Sequence, residues 1–220
     1  MFYISASIIV IPIMISMPIS GAIADMIGRK KTLIIAQMFV LIGWIIVYFA
    51  QQFFILLIGR FLIGLGKGIS LPVTIMLNSE IALIKIRGTL SMMSSLAITI
   101  GFLYSLIMAA TFSLKNLIIL SMVPSLIFLL LSFFLPESPV WLMKKGHTDK
   151  AKQVLVSLRG SEYNLIPEIK ELENLVIKKD DSKWIERMKE LKSRNNAIPF
   201  MLMAIMMTIQ VKFFKYFNFD

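Results

Sequence analysis

Four stretches of this chain, residues 1–24, 32–59, 88–114 and 116–136, contain no Asp, Glu, Lys or Arg at all. A helix needs ~20 apolar residues to cross the hydrocarbon core of a bilayer, and it satisfies its own backbone hydrogen bonds while doing so. Runs this long and this free of charge leave few folds open. With 57% hydrophobic residues in 220, the chain reads as an all-α membrane protein. Five spans are expected, at 3–24, 33–50, 54–79, 89–113 and 117–135.

The charge agrees with that reading and sets its orientation. The net charge of +10 invites a nucleic-acid partner, but its placement argues against one. Eighteen of the 23 basic residues fall in Arg29–Lys31, Lys85–Arg87 and Lys144–Arg194. If the spans alternate, all three clusters lie on one side, and the opposite turns hold only Lys115. This is the positive-inside bias. It makes turns 25–32 and 80–88 cytoplasmic, and turns 51–53 and 114–116 external. The expected partner is membrane lipid, with no nucleic acid. The first segment does not read as a cleavable signal, because it has no basic n-region and its apolar stretch is too long.

No catalytic constellation or cofactor motif is present. The chain has no cysteine, and its single histidine, His147, sits in a polar segment. Thiolate chemistry and histidine-rich metal sites are therefore excluded.

After Pro136 the composition changes. Residues 136–197 carry most of the charge and read as a cytoplasmic segment of amphipathic helices packed against the membrane part. Ala151, Val154, Leu155 and Leu158 fall at i, i+3, i+4 and i+7, the spacing of one helix face. Ile169, Leu172 and Val176 continue the pattern, and Trp184–Leu191 is a third candidate. Thr148 or Asp149 is placed to cap the first of these helices. Residues 198–220 read as the start of a further span with a divergent tail.

Several short motifs then occur in one order. The first span ends in Gly21-Ala-Ile-Ala-Asp-Met-Ile-Gly-Arg-Lys30, read as an uncharged helix, an Asp and a tight basic turn. Gly59-Arg60-Phe-Leu-Ile-Gly64 opens the third span, and Glu80 and Arg87-Gly88 follow at its other end. Pro136-Glu-Ser-Pro-Val-Trp-Leu142 closes the fifth span, and Leu158-Arg-Gly160 follows it. The series resembles the sugar porter family of the major facilitator superfamily, with insect facilitated trehalose transporters as the suggested relatives. The resemblance covers about residues 1–210.

The resemblance implies a partial major facilitator fold in which the five spans stand for helices two to six of twelve. It also implies alternating-access transport of a hexose or trehalose, without enzymatic activity or cofactor, at the plasma membrane. The missing first helix and the odd tail lead to the expectation of a truncated gene model. The alternative is a non-transporting membrane protein that at most binds a full-length relative.

Gly21, Asp25, Gly28, Arg29, Lys30, Arg60, Glu80, Arg87, Gly88 and Glu137 are then signature and gate residues. Arg60, Gly64 and Gly68 share a face at i, i+4 and i+8, and a Gly-x-x-x-Gly face lets a neighbouring helix approach closely. Val140 stands where the family usually has a basic residue, so one ion pair is expected to be missing. Substrate contacts implied by the family are Gln210 and, in place of its usual Gln, Ser95. Lys67 lies near the middle of its span, where a lysine costs ~3 kcal/mol on insertion scales. Two readings of it stay open: it lines the transport path, or it is packed or snorkels.

Overall fold

In the computed structural model, which describes residues 8–83, 86–160 and 169, the described residues are helical or in short connections. Helices α1 (Val10–Ile27), α2 (Arg29–Phe49), α3 (Phe53–Ile81), α4 (Arg87–Thr111) and α5 (Leu114–Phe134) are each long and apolar enough to cross a membrane. Two shorter helices follow, α6 (Pro139–Lys144) and α7 (Thr148–Arg159).

The boundaries differ from expectation in one instructive place. Arg29, Lys30 and Lys31 were expected in a turn, but they form the first turn of α2. Only Gly28 breaks the chain between α1 and α2, at φ 102° and ψ 155°. That backbone region is open to glycine and almost nothing else. On the opposite side, α3 begins at Phe53 and α5 at Leu114, within turns assigned to 51–53 and 114–116.

Three helices make the rigid part. The buried face of α2 runs Thr32, Leu33, Ala36, Gln37, Val40, Gly43 and Val47, the three-and-four spacing of a helix stripe. Small residues dominate where it crosses α3. A Cβ on Gly43 would lie 2.7 Å from the Gly59 carbonyl oxygen, and one on Gly66 would lie 2.5 Å from that of Ala36. A second face of α3 meets α1: a Cβ on Gly64 would lie 2.5 Å from Pro12 Cγ, and Gly68 abuts Ile13 and Ser16. Between apolar helices in lipid no hydrophobic force drives association, so close backbone approach through glycine is what holds them. Ala24, Leu33, Val73 and Leu77 form the buried cluster at the basic end of the three.

By contrast, α4 and α5 are outlying. No described side chain of α4 is buried. Polar bonds tie these helices in: Asn78 Nδ2 donates to Ser94 Oγ at 3.2 Å, and Gln37 Nε2 donates to the Ser125 carbonyl at 2.9 Å.

The segment after α5 turns back onto the basic end. Pro139 opens α6 at a position where its missing N–H is no loss, and Ser138 caps the helix by accepting from Trp141 N at 3.2 Å. On α7, Ala151 and Leu155 are buried, as their spacing predicts. Its N-cap is His147, without a side-chain bond, rather than Thr148 or Asp149. Arg159 anchors the far end of α7 by donating to the Ile81 carbonyl at 2.9 Å. The expected helices at 168–177 and 184–191 and the span from Ile198 lie outside the described residues, apart from Ile169.

Candidate functional site

Two constellations stand out, one at the basic end and one at mid-height. At the basic end Arg29 is only 1% exposed although it carries a full charge. Its guanidinium explains how this is possible. Nε donates to Glu80 Oε2 and Nη2 to Glu80 Oε1, both at 3.0 Å, while Nη1 donates to the Ala24 carbonyl at 3.2 Å. Nη2 also lies 2.8 Å from Asp25 Oδ1. A planar fork meeting a carboxylate edge-on is a geometry that lysine cannot copy. Lys144 Nζ stands 3.8 Å from Asp25 Oδ2. The four groups Asp25, Arg29, Glu80 and Lys144 thus balance to zero charge.

Glu137 joins this cluster from the other side. Its Oε1 accepts from Arg29 N at 2.8 Å, Lys30 N at 3.1 Å and Ser138 N at 3.0 Å. A carboxylate here satisfies N–H groups that the first turn of a helix leaves orphaned, and it meets the positive end of the helix dipole. This is why α2 can start at Arg29. Trp141 Nε1 donates to the Asp25 carbonyl at 3.0 Å, and Lys30 Nζ donates to the Phe133 carbonyl at 2.7 Å. Lys144 sits one turn beyond Val140 on α6 and brings a positive charge to Asp25. The cluster bolts α1, α2 and α3 to the segment that follows α5.

The other residues named from the sequence fall less centrally. Arg60 is half-buried in the first turns of α3 and makes no ion pair with a described residue. Gly21 and Gly88 have nothing within 4 Å of where a Cβ would stand. The backbone of Arg87 opens α4, but its side chain, like all of Gln210, is outside the described part.

At mid-height a cavity of about 470 Å³ opens between α2, α3, α4 and α5. Lys67, Ser70, Thr74 and Asn78 line it from one face of α3, with Gln37 from α2, Ser94 from α4 and Ser125 from α5. Apolar walls with a few polar groups are the ordinary make-up of a small-molecule site. Lys67 is one of the residues that line this cavity. Ser95 is exposed and donates to the Ser91 carbonyl of its own helix at 3.3 Å; its neighbour Ser94 is the one in the wall. Gln37, Asn78 and Ser94 were missed from the sequence. The available signal was the presence of single amides inside otherwise uncharged runs.

Comparisons with known proteins agree with this architecture. The family model "Sugar (and other) transporter" matches residues 2–219. Sugar transporter ERD6-like 6 of Arabidopsis thaliana is 34% identical over 194 residues, which is 87% of this chain and 39% of that protein. Sugar transporter ERD6-like 15 of the same plant is 35% identical over 166 residues, 76% of this chain and 35% of that protein. The chain thus spans well under half the length of these relatives. Among solved structures, the proton:xylose symporter XylE bound to 6-bromo-6-deoxy-D-glucose superposes with a TM-score of 0.70 at 21% identity, over 78% of this chain and 42% of that one. The inward-open xylose transporter XylE from E. coli gives 0.69 at 20% identity, over 82% and 46%. An all-helical partial major facilitator fold, five apolar helices of membrane-spanning length and a family match along nearly the whole chain lead to one statement: this is a multi-pass membrane protein of the sugar (and other) transporter family.

Proposed function

We propose that the chain forms part of a carrier that moves a sugar of the hexose or trehalose class across the plasma membrane by alternating access. The observation that carries this reading is the cavity walled by Gln37, Lys67, Asn78 and Ser94 at mid-height of four apolar helices. A solute half-way across needs polar partners at the midplane, and carriers of this architecture place them between helices.

In this proposal Asp25, Arg29, Lys30, Glu80, Glu137 and Arg87 form the gate at the basic end, which faces the cytoplasm. Gly28 shapes its turn, Gly21 and Gly88 stand in the adjoining ends of α1 and α4, and Arg60 is a structural charge. Lys67 contacts the solute. For Ser95 and Gln210 a sugar contact rests on the resemblance alone.

The test is uptake of tritiated glucose and trehalose into proteoliposomes. One set holds this chain, and another holds any longer polypeptide that its gene encodes. Saturable uptake by the longer product, and none by the 220 residues alone, is expected. Absence of saturable sugar uptake by either would sink the carrier reading and favour a non-transporting protein that binds a larger relative. Uptake by the 220 residues alone would sink the claim that they are one part of a carrier.

A further inference from the structure

We propose that the mid-height cavity selects an anionic, polyhydroxylated solute, a monosaccharide carboxylate such as a hexuronate, with Lys67 as the counter-ion of its carboxylate. This rests on the sugar-carrier reading and narrows it to a chemical class.

The argument starts from Lys67. It stands at the midpoint of the 29-residue helix α3, where an ammonium is at its greatest distance from either aqueous face. Among the described residues no carboxylate lines the cavity. Among the described residues the acidic groups Asp25 and Glu80 are engaged with Arg29 and Lys144, and Glu137 with backbone N–H groups. Lys67 has no ion pair with a described residue. Charges at membrane depth face a cavity or a partner, and Lys67 lines a cavity.

The remaining wall is rich in acceptors. The hydroxyls of Ser70, Thr74, Ser94 and Ser125 each donate their hydrogen to a carbonyl of their own helix, those of Lys67, Ser70, Leu90 and Ser121. Their oxygens remain as acceptors, and so do Gln37 Oε1 and Asn78 Oδ1, whose amide nitrogens donate to Ser125 and Ser94. Such a wall suits a solute that brings many O–H donors. A neutral sugar would satisfy it and leave Lys67 uncompensated. A phosphate dianion would bring one charge too many for a single ammonium. A carboxylate on a polyol matches both features one for one.

The experiment is equilibrium binding of radiolabelled glucuronate and glucose to the full chain in lipid nanodiscs, repeated for Lys67→Gln and Lys67→Arg. Glucuronate is expected to bind at least about tenfold more tightly than glucose, the scale of one charge-assisted hydrogen bond. Lys67→Gln should abolish that preference by lowering glucuronate affinity about tenfold more than glucose affinity, and Lys67→Arg should keep it. Equal affinity for the two sugars overturns the anion proposal and leaves the sugar-carrier reading standing. A preference for glucuronate that survives Lys67→Gln overturns the role of Lys67. Binding of neither sugar overturns the anion proposal, while the carrier reading stands or falls on the uptake assay with the longer product.

Discussion

Arg29 and Glu80, 51 residues apart, meet through two parallel hydrogen bonds of 3.0 Å with the guanidinium 1% exposed and the carboxylate 11%. Removing one partner of a buried pair leaves a charge in a poor solvent and costs ~3–5 kcal/mol. Asp25 also touches Arg29, at 2.8 Å, but its side chain is 48% exposed. Ion pairs open to water are worth ~0–1 kcal/mol. Glu80→Ala should therefore destabilise the protein far more than Asp25→Ala, and Lys144→Met should resemble the latter. Unfolding in mixed detergent–SDS micelles measures the order. Equal losses at Glu80 and Asp25 would contradict the burial of the guanidinium.

Glu137 accepts from three backbone N–H groups through a single oxygen. Glu137→Gln keeps an acceptor and loses the charge that faces the α2 dipole, a loss of ~1 kcal/mol or less. Glu137→Ala strands the N–H groups of Arg29 and Lys30 as well, and ~1–3 kcal/mol is expected. The same unfolding assay ranks the two. A Gln variant as damaging as Ala would show that charge, not hydrogen bonding, starts α2 at Arg29.

Gly28 is bound to this carboxylate by space. A Cβ at Gly28 would lie 2.6 Å from Glu137 Oε2, on a backbone with φ +102°. Gly28→Ala should cost ~1–3 kcal/mol from backbone strain alone, with the clash added to it. The clash vanishes if Glu137 is already Ala, so the double variant should lose less than the two single losses combined. Simple additivity would place the whole effect in the backbone.

These contacts also explain what the sequence could and could not reveal. Four of the five spans are legible because Asp, Glu, Lys and Arg are absent from such long runs, whereas α3, with Arg60 and Lys67 inside it, is legible from the apolar residues around those charges. The start of α2 is not legible in the same way. Hydropathy pushes Arg29–Lys31 into a turn, whereas a carboxylate 108 residues away from Arg29 supplies the cap that lets them join the helix. Arg29 and Glu80 were nameable as members of one charge cluster because their motifs were recognisable. The approach of Lys144 to Asp25 was not, since only the fold of α6 brings the two together. The Gly64 and Gly68 face was visible as Gly-x-x-x-Gly, while Gly59 and Gly66, seven apart, needed the α2 crossing to give them meaning.

That crossing separates glycines that packing demands from glycines that it does not. At Gly66 a Cβ would fall 2.5 Å from the Ala36 carbonyl oxygen and 2.6 Å from Val40 Cγ2, both on the facing helix. The backbone oxygen cannot swing aside, so Gly66→Leu must push α2 and α3 apart and lose the contacts that hold them, a loss of ~1–3 kcal/mol or more on the scale of overpacked cores. At Gly21 a Cβ meets nothing within 4 Å, and in mid-helix alanine is favoured over glycine by ~0.5–1 kcal/mol. Gly21→Ala should therefore hold or raise stability in the unfolding assay. Measured beside uptake, it also tests the proposed gate: if Gly21 serves movement and not the packing of this conformation, Gly21→Ala lowers transport while the unfolding midpoint stays put. A fall in both together would show that Gly21 is a packing residue like Gly66, against the open space around it.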